Sequence, residues 1–313
     1  MNKPRILSCG EMLWDLFPEG ARFGGAPANF ACHVAIRGGE VSMLSAVGHD
    51  ARGEQAVRIL QGFGMDSALV QRIANAPTGS VSVTLDAAGK PSFAIHAGSA
   101  WDHMAWSPEL EACTMASNAI YFGTLGQRGE VSRATIRRAL RLAKAHGSMR
   151  VLDVNLRRPF YDAPLIRESI ALANIVKLSD DELPEVADAC GISWEAESEQ
   201  PGLHRRSTET AAEATLEALR GRCGLDVVVM TRGAKGALLV SADGVIDQPG
   251  IPTTVVDTVG AGDSFTAAFI LGLLRGEPHQ DILRKACETA SAVCAQSGAV
   301  PTLIESGPST SLS

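Results

Sequence analysis

The chain has 313 residues, room for one or two domains at roughly 150 residues each. Apolar residues make up 45% and charged residues 20%, the balance of an ordinary globular protein with a large core. A formal net charge of -7 leaves no basic excess to neutralise phosphates, which excludes general nucleic-acid binding as the expected role.

Arg5–Cys9 is predicted as a strand ending at Gly10. Ala26–Arg37 follows as a helix closed by Gly38-Gly39, and Val41–Val47 as a second strand. Gly53–Gly62 reads as helical. Ser80–Asp86 and Ser92–His96 alternate with period two around a turn at Ala87–Lys90, which predicts a hairpin. From Ala119 the rhythm is strand and helix in turn. Strands are predicted at Ala119–Phe122, Val151–Asn155, Ile175–Leu178, Val227–Met230 and Gly236–Ser241. Helices are predicted at Val131–His146, Leu165–Leu172, Gly262–Leu274 and Gln280–Gln296, with another opening near Asp180. Such alternation implies an α/β fold, a mostly parallel sheet covered on both faces. Ligands bind such sheets at the C-terminal ends of the strands. The hairpin breaks the rhythm and suits a small lid over those ends. Ser193–Thr210 is polar and reads as a surface insertion, and Gly307–Ser313 as a frayed tail.

Cys9, Cys32, Cys113, Cys190, Cys223, Cys287 and Cys294 are odd in number and contain no C-x-x-C pair, so they are expected as free thiols. The apolar stretches fall short of a membrane span and no signal peptide is visible at Met1, so a cytoplasmic protein is expected.

The densest chemistry lies in Asp257-Thr258-Val259-Gly260-Ala261-Gly262-Asp263-Ser264-Phe265. Gly260 and Gly262 let consecutive N–H groups converge, and the helix that follows adds its positive end. Together these predict an anion hole. Asp263 at its edge suits a base that takes a proton from an attacking hydroxyl. The same pattern also fits an ordinary loop with Asp263 as the helix N-cap. No G-x-x-x-x-G-K-S/T or G-x-G-x-x-G run occurs.

The nine-residue segment resembles the C-terminal signature of the PfkB (ribokinase-like) family of carbohydrate kinases. Gly24-Gly25-Ala26-Pro27-Ala28-Asn29-Phe30-Ala31 resembles its N-terminal signature, and Gly48-His49-Asp50-Ala51-Arg52-Gly53 follows at the usual interval. The likeness runs from Ile6 to about Pro301. It implies one ribokinase-like domain over residues 1–313. The implied architecture is a three-layer αβα sandwich with a small β lid from about 12–24 and 78–102. It also implies transfer of the γ-phosphate of ATP, with Mg2+, to a sugar hydroxyl.

By that resemblance Asp263 is the general base, and Gly260, Ala261 and Gly262 form the anion hole. Asp15, Gly25 and Asn29 match sugar-contacting positions. Asp153-Val154-Asn155-Leu156-Arg157 is similar to the D-x-N-x-R segment of fructokinases, so Asn155 and Arg157 are expected at the sugar or transferring phosphate. Lys177-Leu178-Ser179-Asp180-Asp181-Glu182 stands in for the N-x-x-E motif. Ser179 replaces its Asn, and Glu182 is expected to orient waters on magnesium. Thr231-Arg232-Gly233-Ala234-Lys235-Gly236 resembles the nucleotide-binding turn, through Thr231, Gly233 and Gly236. The family often holds potassium; Asp257 and the carbonyl of Val259 match two ligands, with Val293, Gly298 and Thr302 as further candidates.

Tyr121-Phe122-Gly123-Thr124-Leu125 and the D-V-N-L-R segment look most like fructokinases. The runner-up is 2-keto-3-deoxygluconate kinase. A non-catalytic sugar or nucleotide sensor is the alternative of another class. His96, Trp101 and His103 lie where lid and substrate could meet but read as packing or surface residues. A homodimer through the lid strands is expected, with neither nucleic acid nor membrane as partner.

Overall fold

A computed structural model describes residues 3–85, 91–194 and 204–300. The turn expected at Ala87–Lys90, Thr302 and the tail expected at Gly307–Ser313 lie outside them. In chain order the elements begin with β1 (Arg5–Cys9), β2 (Leu13–Phe17), β3 (Gly20–Gly24), α1 (Ala26–Ile36), β4 (Glu40–Gly48) and α2 (Ala51–Gly62). Next come β5 (Val70–Ile73), β6 (Gly79–Leu85), β7 (Pro91–Ile95), α3 (Pro108–Ala116), β8 (Ala119–Gly123), α4 (Glu130–Ala145), β9 (Met149–Asp153) and α5 (Ala163–Leu172). The chain continues with β10 (Ile175–Ser179), α6 (Leu183–Ala189), α7 (His204–Cys223), β11 (Val227–Thr231), β12 (Ala237–Ser241), β13 (Gly244–Gln248), α8 (Ala261–Leu274) and α9 (His279–Cys294).

Nine strands form one sheet in the order β13-β12-β11-β10-β9-β8-β1-β4-β5. The seven from β11 to β5 pair in parallel; β12 and β13 add antiparallel at one edge. Parallel strands covered on both faces carry apolar side chains to both sides. On β1, Leu7 and Cys9 enter one core and Ile6 the other; on β11, Val228 and Met230 face opposite to Val227 and Val229. Helices α3 to α7 supply the first core and α1, α2, α8 and α9 the second. The result is three layers.

Local chemistry sets the helix ends. Asp50 caps α2 by accepting from the Gly53 N–H at 2.8 Å, and Asp162 caps α5 from Leu165 at 2.8 Å. On α4, Ile136, Ala139, Leu140 and Ala143 recur at helical spacing and are all buried. Helix α8 buries Ser264 through Ala267 and Phe269 through Gly272, so nearly its whole circumference is inside. Its N-terminus is thereby fixed against the sheet.

The small sheet runs β3-β2-β6-β7. Trp14 of β2 packs edge-on against Phe23 of β3 at 5.8 Å. The expected hairpin is β6 and β7; β6 also pairs in parallel with β2, which joins it to the β2–β3 ladder within the expected 12–24 segment. Asp15 lies within β2 of this small sheet. Of the polar stretch expected as an insertion, 195–203 lies outside the described residues and 204–210 belongs to α7, which starts at His204.

Candidate active site

A cleft of about 1230 Å³ lies between the two sheets at the C-terminal ends of β1, β8, β9 and β10. Its lining includes Glu11, Asp15, Gly25, Asn29, Asn155, Arg157, Lys177, Asp257, Val259, Gly260, Gly262 and Asp263. Residues from five separate stretches of sequence thus meet in one place.

Two glycines hold the turns that border it. Gly25 precedes α1 with φ 104°, and a Cβ there would sit 2.6 Å from the Glu11 carbonyl oxygen. Gly260 is the N-cap of α8 in the left-handed region at φ 79°, where a Cβ would meet the Ala299 carbonyl at 2.4 Å. Asp263 is the third residue of α8 and not its cap, since Gly260 holds that position without a side chain. Residues this early in a helix have N–H groups with no partner inside it, so Gly262 and Asp263 present donors at the helix's positive end. The Ala261 N–H instead bonds to the Thr258 carbonyl at 3.3 Å.

Asp263 Oδ2 accepts a hydrogen bond from Asn29 Nδ2 at 2.8 Å. Asn29 is buried and its Oδ1 has no partner. Below them, Lys177 of β10 donates to Asp153 Oδ1 at 3.0 Å. Asp153 Oδ2 accepts from Tyr121 at 3.3 Å and from Thr266 of α8 at 3.1 Å. Burial works against charge on Lys177, but the Asp153, Glu182 and Asp263 carboxylates together outweigh it and raise its pKa above the usual lysine value. A Cβ on Gly262 would lie 3.3 Å from Lys177 Nζ, so the ammonium sits directly under the glycine turn.

Burial raises the Asp263 carboxyl to about 6, with the Asp153 charge adding to it; the Asn29 hydrogen bond, Lys177 and Arg157 pull the other way. Burial raises Asp15 to about 6 against Arg157 and Arg22. Glu11 is raised to about 7 by burial, against a backbone hydrogen bond and the nearby Arg157 and Arg128, with Asp263 adding to the rise. Carboxyls perturbed in this way cluster at functional sites.

Asn155 lines the cleft with φ 42°, a left-handed position that Asn tolerates. Arg157 has no carboxylate ion-pair partner among the described residues. Ser179, Glu182, Thr231, Gly233 and Gly236 lie at or beyond the ends of β10 and β11, outside the cleft lining. Both Glu182 oxygens accept backbone N–H groups, from Leu156 at 2.6 Å and Ser179 at 2.8 Å. Asp257 accepts from Val259 at 3.0 Å and Gly298 at 3.0 Å, with the Arg22 guanidinium at 3.7 Å. Among the described residues no group of three His, Cys, Asp or Glu could hold a metal ion. His96 hydrogen-bonds Ser80 and Ser82, Trp101 is fully buried and His103 is exposed.

Sequence reasoning gave no role to Glu11, Asp153, Lys177 or Thr266. One signal was present: Lys177 interrupts an otherwise apolar strand, where a lysine needs a partner.

A family model described as "pfkB family carbohydrate kinase" matches residues 20–305. The chain belongs to the pfkB family of carbohydrate kinases. It is 28% identical over 323 residues to fructokinase-2 of Zea mays, covering 95% of this chain and 90% of that one. It is 29% identical over 287 residues to aminoimidazole riboside kinase of Salmonella typhimurium, covering 88% and 82%. Among solved structures, a fructokinase with bound ATP from Xylella fastidiosa aligns with a TM-score of 0.79 at 21% identity, covering 96% of each chain. The fold is therefore ribokinase-like. PfkB relatives at these identities act on different acceptors, so membership fixes the reaction class and leaves the acceptor open. Among the described residues, no helix of this pfkB protein is long and apolar enough to cross a membrane.

Proposed function

We propose that this pfkB protein is an ATP-dependent kinase that phosphorylates a hydroxyl of a small sugar, with fructose as the first candidate. The observation that carries the reading is Asp263, held by Asn29 at the positive end of α8 and facing the cleft. Fructose is favoured by the fructokinase relatives and by the Asp153–Arg157 segment.

In this account the acceptor hydroxyl loses its proton to Asp263 as its oxygen bonds to the γ-phosphorus and the bridging oxygen leaves with ADP. The N–H groups at the start of α8 stabilise charge on the transferring group, an effect worth on the order of 10²–10³ in rate per donor. Lys177 beneath Gly262 adds positive charge at that turn. Asp15, Gly25, Asn29 and Asn155 hold the acceptor. Ser179, Thr231, Gly233 and Gly236 lie beside the expected nucleotide path.

Magnesium binds few protein ligands and mostly phosphate and water oxygens. The site fits that habit: backbone donors from Leu156 and Ser179 fix both Glu182 oxygens and leave a second lone pair on each for water. When bound, the ion neutralises phosphate charge.

A second acceptor is favoured by one observation. Arg157 lines the cleft without a carboxylate ion-pair partner among the described residues, which suits an acid sugar such as 2-keto-3-deoxygluconate. ADP release measured with fructose, 2-keto-3-deoxygluconate, ribose, tagatose and nucleosides tests both. Turnover on none of them, despite tight ligand binding, would favour the sensor instead.

A further inference from the structure

Glu11 follows β1 and is only 3% exposed, yet it lines the cleft. Its Oε2 has no hydrogen-bond partner. The surroundings are tight: Gly25 packs on its carbonyl, and a Cβ on Gly126 would lie 3.6 Å from Oε2. An ionised carboxylate with an unpartnered buried oxygen is costly, so such a group takes up a proton instead.

The charged groups facing Glu11 are Asp263 on α8, Arg157 after β9 and Arg128 after β8. Asp15 on β2 and Lys177 on β10 line the same cleft. Arg128 commits its Nε and Nη2 to a two-pronged pair with Asp102 at 2.7 and 2.9 Å, and its buried Nη1 has no hydrogen-bond partner, so it gives Glu11 charge but no hydrogen bond. Asp263, by contrast, has the Asn29 donor and the Lys177 charge. Glu11 and Asp263 are thus unequal neighbours. Asp263, with a side-chain donor and an ammonium, keeps the negative charge; Glu11, with only a backbone N–H against its burial and nothing at Oε2, keeps the proton.

We propose that Glu11 is a positioning residue for the transfer, a carboxyl that stays in its neutral acid form so that Asp263 beside it is the ionised member and takes the acceptor's proton. This rests on the kinase reading above. Burial and the Asp263 charge raise Glu11 to about 7 in the free protein, and an arriving triphosphate raises it further. Pairs whose surroundings push them apart divide acid and base roles in this way. If Glu11 ionises, its charge repels the phosphate and makes Asp263 a worse-placed anion, so activity falls on the alkaline side.

The test is kcat/KM for the acceptor as a function of pH in the wild type, Glu11→Gln and Glu11→Ala. Glutamine keeps the shape and cannot ionise. The alkaline half-point is expected at or above pH 7 in the wild type. It should move up by at least one unit, or vanish, in Glu11→Gln, while Glu11→Ala loses at least tenfold in kcat. An unmoved alkaline half-point in Glu11→Gln overturns the proposal. A carbon-13 titration of glutamate-labelled wild-type protein decides it independently of turnover and of any variant's folding. One glutamate carboxyl titrating near neutrality supports the proposal, and all glutamates titrating in the ordinary acidic range overturn it. If the wild type phosphorylates no acceptor, the kinase reading fails while the carbon-13 result still judges Glu11.

Discussion

Asn29 donates a hydrogen bond to Asp263 at 2.8 Å, joining residues 234 positions apart in sequence. One sits on α1 behind the Gly24-Gly25 turn, the other in the first turn of α8. Helices α1 and α8 pack directly against each other through the core that contains Phe30, Ala31, Val34, Phe265 and Phe269. The bond is therefore held from both sides by buried apolar contacts.

Removing that donor should loosen and partly neutralise the carboxylate. Asn29→Ala is expected to lower kcat about 10- to 100-fold and to move the acid limb of the pH–rate profile upward. The Asn29 bond is the largest of the influences that lower the Asp263 carboxyl, so its loss leaves burial opposed only by the Lys177 and Arg157 charges. Steady-state kinetics between pH 5 and 8 read both effects. An acid limb that does not move would separate Asn29 from the base.

Lys177 and Asp153 form a buried ion pair at 3.0 Å, with side-chain exposures of 10% and 2%. Lys177→Met strands the Asp153 charge and should destabilise the fold by about 3–5 kcal/mol in urea unfolding. Combining it with Asp153→Asn should recover part of that loss. Additive losses would show that the two do not act as a pair.

Asp15 stands opposite Arg22 across the β2–β3 ladder and lines the cleft. Asp15→Ala is expected to raise the KM for the sugar about 10- to 100-fold and leave the KM for ATP within about twofold. A change confined to ATP would assign it elsewhere.

Asp263 also leaves a mark on stability. Its folded-state value is raised to about 6 from an ordinary 3.8, so between those values the folded state binds more protons than the unfolded state. Stability due to this group is present at low pH and is lost as pH rises from about 4 to about 6. Asp263→Asn abolishes that loss and should raise stability by on the order of 2 kcal/mol at pH 7.5, with little effect at pH 4. Thermal melts at both pH values check the sign.

Much of the site was legible because the two glycine-rich stretches demand unusual backbone. Gly25 at φ 104° and Gly260 at φ 79° mark turns that few other residues accept. The βα alternation was legible wherever strands carry uninterrupted β-branched and aliphatic runs, as in Val227–Thr231. Four elements were missed for physical reasons. β5 is four residues with Gln71 and Arg72 in it, and β13 is an exposed edge with one buried residue. α3 buries only Leu110 and Thr114, and α7 opens in a polar stretch, so neither shows a strong apolar stripe at its start. The links from Asn29 to Asp263 and from Lys177 to Asp153 could not be read at all. They join distant residues that only the assembled sheet and helices bring together.

The central claim is that Asp263 takes the proton of a sugar hydroxyl during phosphoryl transfer. The direct measurement is ADP release by the wild type and Asp263→Asn on the best acceptor of the panel, with binding of ATP and sugar measured by calorimetry on both. The account predicts turnover reduced by on the order of 10²–10⁴ with both affinities within about threefold. Near wild-type turnover in Asp263→Asn would contradict it.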